Sequence, residues 1–500
     1  MNNEKTTRIC IPVCEKDLSA FESASERAAE AADFVELRLD CLDSVNATPE
    51  DITQLLKTIP RPVILTFRPS EQGGHRDLTR EERLSFWNIP PRGDAVWWDV
   101  EGDLVQSLSP EWARVILSHH DFSGVPTDLD QIYEKLAHTP ARVLKIAVQA
   151  NDVVDCLPVF KLLDRAYTEG REIIAIAMGN AGVATRILGP SRGAFLTYGP
   201  LDDEGATAPG QVNAHKLRSL YNIDKIDEET IVCGLVGLPV MHSVSPHIHN
   251  TAFASEGVNG VYVPFEVRDV KAFLKRMVHP RTRELDWNLR GLSITAPHKQ
   301  SVMQCLDWIE PDAKEIGAVN TVVVEQDRLL GSNTDAAGLI DPLLRIMGSL
   351  AQRKVAIIGA GGAARAAIWA LQQQKATVTL FARNPAKTDS LAQLFGISCE
   401  PLSAASFAGY DLVINATPLG SGVHIDESPA TQVQLSGAGC VYDLIYNPID
   451  TRLLREAREA GCETVGGLEM LVAQAKIQFK LWTGKEFDLK ATDLHEFIRI

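Results

Sequence analysis

The sequence predicts an α/β protein in two parts: an N-terminal (β/α)8 barrel, then a two-lobed unit with a Rossmann-type nucleotide-binding domain. Three observations carry this. Eight short apolar runs recur along the first two hundred residues with helix-competent stretches between most of them. A charged, linker-like stretch, "LYNIDKIDEETIVCGLVG", follows at 220–237. Further on, an apolar strand runs directly into a glycine-rich turn, "KVAIIGAGGAARAAIWAL" (354–371). A chain of 500 residues also exceeds what one hydrophobic core supports, and 45% hydrophobic with 23% charged residues is the composition of a globular protein.

The barrel strands are expected at 8–13, 34–40, 62–68, 95–101, 114–121, 142–148, 172–179 and 194–200. Strand alternating with helix implies a parallel sheet, and eight such units in about 200 residues imply closure. An open doubly wound sheet is the alternative. Side chains alternate faces along a strand. Glu36, Arg38 and Asp40 therefore share one face, as do Thr66 and Arg68, Asp99 and Glu101, and Ser118 and His120. Nearly all lie toward the C-terminal strand ends, where barrel enzymes keep their sites. One or two such residues would fit structural ion pairs, but titratable groups on five adjacent strands fit a common site better.

Lys145 stands alone in the apolar run "RVLKIAVQA" (142–150). Desolvating an ammonium there is costly, so the free amine is favoured, and a free amine is a nucleophile toward carbonyls. Imine formation is its natural chemistry. His120 is placed to move a proton alpha to the imine, with Glu101 to orient the imidazole. Arg38, Arg68 and Arg192 are candidates for a carboxylate or hydroxyl group of the substrate. Zinc at His119-His120 is disfavoured, because adjacent strand residues point to opposite faces.

In the second half, Gly359-Ala360-Gly361-Gly362-Ala363-Ala364 has the G-x-G-x-x-A form between strand and helix. Gly359 permits the tight turn, and Gly361 lets backbone amides approach a pyrophosphate at the helix N-terminus. The next strand, "TVTLFARN", ends in Arg383 where NAD-binding proteins usually carry an acid, with Lys387 close behind. That favours a 2′-phosphate, hence NADP(H). Ser243 and Ser245 fall at same-face spacing before a helix, where an ordinary cap is the plain alternative. Lys299 ends "SITAPHK" and Asp335 ends "GSNTD". Such a Lys–Asp pair can protonate an alkoxide as hydride arrives.

The stretches "ELRLD", "LTFRPSEQGG", "DVE", "SHHDF", "LKIAV", "MGNAG", "SRGAFLTYG" and "TAPGQ", in order over residues 8 to about 222, closely resemble type I 3-dehydroquinate dehydratase. The resemblance implies Lys145 as Schiff-base lysine, His120 as general acid/base and Glu101 as its orienting carboxylate. It also implies Glu36, Arg38, Arg68, Arg192, Thr207 and Gln211 as substrate contacts, Thr207 standing where many members have serine. From about residue 230, "GLPVMHSVSPHIHN", "SITAPHK", "GAVNT", "SNTD", "GAGGAARA", "NATPLG", "YDLIYNP" and "GGLEMLVAQA" resemble shikimate dehydrogenase. This implies Lys299 and Asp335 as the catalytic pair. Ser243, Ser245, Thr295, Asn320, Tyr446, Gln474 and Gln478 carry over as substrate contacts, and Thr417 as a nucleotide contact. Ser293 replaces an asparagine common in bacterial members. The family's Asn-Arg-Thr nucleotide motif reads Ala382-Arg383-Asn384, so only the arginine is kept.

Together the halves resemble the plant-type fusion of the two families. It implies dehydration of 3-dehydroquinate to 3-dehydroshikimate, then NADPH-dependent reduction to shikimate. The expected domains are 1–222 (barrel), 229–335 (substrate domain, completed by helices at about 475–500) and 336–474 (nucleotide domain). Activity on quinate in the second domain is an alternative. A catalytically degenerate regulator is disfavoured because all five catalytic groups are present, and a class I aldolase does not explain the second half.

A net charge of −16 with no block of like charges argues against nucleic acid or an anionic membrane as partner. No apolar run approaches a membrane span, and the N-terminus lacks a signal core. Nine scattered cysteines without a C-x-x-C pair point to a reduced, cytoplasmic setting. No metal is expected, and a monomer is compatible with the sequence.

Overall fold

The computed structural model describes residues 7–43, 48–88, 95–203, 205 and 207–498; the first six residues of the expected barrel domain lie outside them. The eight expected strands form as β1 (Ile9–Val13), β2 (Phe34–Arg38), β3 (Val63–Thr66), β4 (Val96–Glu101), β5 (Val115–Asp121), β6 (Val143–Gln149), β7 (Glu172–Met178) and β8 (Thr197–Tyr198). They pair in parallel in the order β7-β6-β5-β4-β3-β2-β1-β8. The ring closes through a parallel bridge from Ile173 to Ala194, where the Phe195 N–H donates to the Ile173 carbonyl at 2.7 Å. β8 is shorter than its apolar run because Gly199 and Pro200 end it, and Pro has no N–H to give.

Alternation sorts the side chains as expected. On β6, Leu144, Ile146 and Val148 point outward into the core shared with the helices. Val143 points inward with Cys10, Phe34, Ile64, Ile116, Ile174 and Phe195 to plug the lower barrel, where the rings of Phe34, Trp97 and Phe195 meet at 5.5–6.0 Å between centroids. Lys145 and Ala147 continue the inward row above the plug. The polar groups therefore sit on a packed apolar floor and open only toward the C-terminal strand ends.

The second sheet contains β9 (Ile231–Gly237), β10 (Gly260–Glu266), β11 (Leu289–Ile294), β12 (Trp308–Ile309), β13 (Thr321–Glu325) and β14 (Arg328–Ser332), in the order β10-β9-β11-β13-β14-β12. The stretch "TVVVEQDRLLGSNTD" carries an antiparallel hairpin turning at Gln326, whose φ is +49°. β10 ends the ladder yet is buried along most of its length. The barrel helix Val183–Leu188 packs against it. Beside it the Asp152 carboxylate accepts the Arg268 and Asp269 N–H groups (2.7 and 3.1 Å), and Lys161 pairs with Glu284 at 2.6 Å.

The third sheet is parallel throughout: β15 (Lys354–Ile358), β16 (Thr377–Ala382), β17 (Ser398–Pro401), β18 (Leu412–Asn415), β19 (Cys440–Asp443) and β20 (Glu463–Val465), ordered β17-β16-β15-β18-β19-β20. Chain order reverses beside β15, which leaves a crevice at its C-terminal end. The helix Leu468–Thr483 then crosses back. Its Gln474 lies against Gly338 of the helix Asp335–Met347, and its Trp482 indole N–H donates to the Val322 carbonyl at 3.1 Å.

One expectation is corrected here. Cys14 and Cys41 form a disulfide with Cα atoms 5.4 Å apart, while the other seven cysteines are free. The two lie just past the ends of the paired strands β1 and β2, a proximity that a separation of 27 residues conceals. No helix among the described residues is long and apolar enough to cross a membrane.

Candidate active sites

In the barrel, Lys145 is 4% exposed. Its Nζ lies 2.7 Å from Asp99 Oδ2, 3.1 Å from the Tyr198 hydroxyl and 3.7 Å from Glu36 Oε1, over the Tyr198 ring. Arg68 Nη2 reaches the same Asp99 oxygen at 2.7 Å. Burial alone would raise the Asp99 carboxyl, but Arg68 and then Lys145 outweigh it and hold it well below the usual carboxylate range. Thr66 donates to Glu36 at 2.7 Å. Asp99 and Tyr198 are the two groups nearest the amine; the sequence placed Asp99 on the inner face without giving it a role, and Tyr198 was not singled out. Asp99 shares the inward parity of Glu101, which was the available signal.

His120 is pushed well below the ordinary imidazole value, first by burial and then by Arg68 and Lys145, so it is neutral, with a ring nitrogen free to accept a proton. No hydrogen bond joins it to Glu101 among the described residues. The Glu101 carboxylate faces Arg83 at 3.5 Å and Arg68 at 3.7 Å, while His120 Nδ1 is buried without a hydrogen bond. Glu101 Oε1 is likewise buried without a hydrogen bond. Burial still raises Glu101 to about 7, against the opposing pull of Arg68.

The cavity above Lys145 is lined by Glu36, Arg38, Arg68, His120, Thr207 and Gln211, as the motifs led one to expect. Arg38 grips Asp40 with two hydrogen bonds, 3.0 and 2.7 Å. Gln211 accepts the Thr207 N–H at 2.9 Å and so folds the last loop over the mouth. Arg192 is not there. It pairs with Asp164 at 2.6 Å, donates to the Asp286 carbonyl and lies over the Phe160 ring, beside the second half of the chain. Arg186 lines the cavity instead. It is buried, its guanidinium hydrogen bonds among the described residues are long ones to the carbonyls of Tyr198 (3.5 Å) and Pro209 (3.4 Å), and no carboxylate of the described residues pairs with it. Burial lowers it to about 10. A buried guanidinium without a counter-charge is a built site for an anion. A lone arginine in the apolar run "VATRIL" was the signal, the same one that marked Lys145.

A prediction follows from this exchange. Arg186→Ala should raise the Michaelis constant of the barrel activity about 100-fold or more, the loss of two charge-assisted hydrogen bonds. Arg192→Ala should leave it within about twofold. Steady-state kinetics of the two variants decide between the arginines.

In the second half, Lys299 Nζ meets Asp335 Oδ2 at 2.5 Å, so the two motifs do converge. Asn320 donates to Asp335 Oδ1 at 2.8 Å and accepts the Thr334 N–H at 2.7 Å, which fixes the carboxylate. Ser243 and Ser245 are joined at 3.1 Å ahead of the helix Ser245–Ser255. Thr295 is anchored to Val236 across β9 and β11. Tyr446 follows β19, its phenol raised by burial with Ser243 opposing. Gln474 faces Gly338 beside Asp335. Gln478, one turn further, is corrected from substrate contact to support: its amide oxygen accepts from Ser293 (2.8 Å) and its nitrogen donates to Thr321 (2.9 Å).

The glycine-rich turn has the shape expected of a phosphate cradle. Gly359 has φ +113°, and a Cβ there would meet the Ala416 carbonyl at 2.9 Å. Gly361 faces open space with no side chain capping the helix Gly362–Gln373. Gly362 lies beside the Lys299 stem, where a Cβ on the glycine would meet it at 3.0 Å, so the glycine-rich turn and that lysine are close neighbours. Ala360 and Ala363 complete the turn. Thr417 is held by Asn415 at 2.7 Å on the far wall. Arg383 and Lys387 are exposed past β16, and Arg383 has no partner among the described residues.

A desolvated amine in a barrel mouth and a Lys–Asp pair beside a dinucleotide cradle define a two-site enzyme, an imine-forming lyase joined to a nicotinamide-dependent dehydrogenase. Residues 9–228 match the type I 3-dehydroquinase family. Residues 235–322 match the shikimate dehydrogenase substrate binding domain, 343–433 match shikimate/quinate 5-dehydrogenase, and 467–492 match the shikimate 5′-dehydrogenase C-terminal domain. The chain is 35% identical over 95% of its length, and 82% of the relative's, to the chloroplastic bifunctional 3-dehydroquinate dehydratase/shikimate dehydrogenase of Arabidopsis thaliana. It is 40% identical to the shikimate dehydrogenase (NADP(+)) of Caldanaerobacter subterraneus, over 53% of this chain and 95% of that one. A solved shikimate dehydrogenase in complex with NADP+ covers 54% of this chain and 96% of its own at 36% identity and TM-score 0.50. The chain belongs to the family of bifunctional 3-dehydroquinate dehydratase/shikimate dehydrogenases of the shikimate pathway.

Proposed function

We propose that Lys145 carries the dehydration and that the Lys299–Asp335 pair carries the reduction. The observation that supports this best is the first cavity, where Lys145 and Arg186, a guanidinium with no carboxylate partner among the described residues, line the same space. Arg186 binds the carboxylate of 3-dehydroquinate, and Arg38 and Arg68 orient its hydroxyls. Lys145, as the free amine, attacks the C3 ketone, and the carbinolamine loses water to give an imine. Neutral His120 takes the alpha proton from C2. The C1 hydroxyl leaves as water, and imine hydrolysis returns Lys145 and releases 3-dehydroshikimate.

In the second site Ser243, Ser245 and Gln474 hold the 3-dehydroshikimate ring and carboxylate beside Lys299. The cofactor is NADPH, which supplies hydride to the C3 carbonyl when bound on the Gly359–Ala363 turn. Lys299 gives a proton to the developing alkoxide, and Asp335, fixed by Asn320, holds the ammonium in place. Neither step calls for a metal. The domains run 1–222, 229–335 with the C-terminal helices, and 336–474; the setting is cytoplasmic, in keeping with seven free cysteines.

Arg383 selects the phosphorylated cofactor. Arg383→Ala should raise the Michaelis constant for NADPH about ten- to a hundred-fold and leave that for NADH nearly unchanged. Kinetics at two salt concentrations check this, since an exposed pair fades in salt. An assay with 3-dehydroquinate, with and without NADPH, tests the whole scheme: dehydroshikimate should accumulate without the cofactor and shikimate with it.

A further inference from the structure

We propose that Cys14 and Cys41 are a reversible modification site, reduced by dithiols, whose state sets how tightly the barrel site holds its substrate. This rests on the reading of the barrel as a dehydratase that uses Arg38. The pair is the sole disulfide among the described residues, in a chain whose other seven cysteines are free and five of those buried. A fold that relied on oxidation for its framework would not leave so many thiols unused. Nor does the barrel need the bond. β1 and β2 are already laddered from Cys10–Phe34 to Val13–Leu37, and the Asp43 N–H donates to the Lys16 carbonyl at 3.0 Å just beyond the two sulfurs. Those contacts keep the cysteines adjacent when reduced, so the bond can re-form.

Both cysteines are half-buried at the rim, and the exposed His75 ring lies within 4.8 Å of them. A dithiol can therefore reach the bond. One reductant thiolate attacks a cysteine sulfur, the other cysteine leaves as thiolate and takes a proton, with His75 at hand to supply it. The reductant's second thiolate then attacks the mixed disulfide. Two electrons and two protons pass to Cys14 and Cys41, and the reductant closes into its own disulfide.

The link to substrate runs through one residue. Cys41 directly follows Asp40, whose carboxylate holds the Arg38 guanidinium at two points and accepts the His75 N–H at 3.0 Å. The disulfide ties that turn to the end of β1. Breaking it leaves the turn held by the ladder and the Asp43–Lys16 bond alone, close enough to re-form the disulfide but with a slacker Asp40 grip on Arg38. Lys145 lies on β6, four strands away, so turnover should change less than affinity.

The test uses the full chain equilibrated with oxidised or reduced dithiothreitol, with alkylation and peptide mass analysis at residues 14 and 41. Reduction should raise the dehydratase Michaelis constant about three- to tenfold, reversibly. The reductase in the same chain should stay within about twofold and serves as internal control. A Cys14→Ser/Cys41→Ser variant should show the reduced-state value and ignore redox treatment. The proposal is overturned by an unchanged Michaelis constant in verified reduced protein, by a bond that resists the dithiol in the native chain, or by a redox response that persists in the double variant. Loss of dehydratase activity in both redox states would instead indict the reading of the barrel.

Discussion

Lys145→Ala will lose the dehydratase by about 10⁴-fold or more, at least 5 kcal/mol of transition-state stabilisation, and keep the reductase. No other amine points into the barrel cavity among the described residues. Borohydride added with 3-dehydroquinate should leave a stable adduct on the peptide containing residue 145 in the parent protein and none in the variant. Removing the ammonium also leaves Asp99 with Arg68 as its remaining partner at 2.7 Å, so the carboxylate stays neutralised and the barrel folded. Reductase activity and circular dichroism check that folding. An adduct elsewhere in the chain, or normal dehydration by the variant, would remove Lys145 from the mechanism.

The second large effect belongs to the reductase. Lys299→Ala and Asp335→Ala should each lower turnover about 10²–10⁴-fold, the usual worth of a positioned acid or base. Because the two groups meet at 2.5 Å and share one proton-handling task, the double variant should be little worse than the poorer single. Asn320→Ala should lower turnover less, since it frees Asp335 without removing a proton donor. Additive losses in the double variant would mean that the pair does not act as a unit.

Much of this was legible because strand alternation is a local property. Parity along each run placed Glu36, Arg38, Asp99, Glu101, His120 and Lys145 on the inner face, and neighbouring strands then had to bring them together. The misreadings arose where position depends on how one element is turned against another. The helix Val183–Leu188 ends before Gly189 and Pro190, so Arg192 belongs to the next turn and faces outward while Arg186 faces the cavity. Glu101 has the right face, but Arg83 arrives from the separate helix Arg80–Asn88 and pairs with it. Gln474 and Gln478 occupy one helix, yet Ser293 from β11 consumes the second amide. The Cys14–Cys41 bond required knowing that the loops after β1 and β2 meet. The nucleotide turn was legible throughout, since strand, glycines and helix are consecutive in the chain.

The position of β10 has a consequence for why the two halves are one polypeptide. A strand at the end of a ladder offers unpaired backbone groups along one flank, a template on which another chain can add and aggregate. Pro264 in mid-strand blunts that flank by removing a donor, as proline does at sheet margins. Asn250 pairs both backbone groups of Tyr262, and the barrel helix packs against the strand. Joining the dehydratase to the dehydrogenase thus does more than place consecutive activities on one message: the first enzyme acts as a permanent shield for the most adhesive margin of the second.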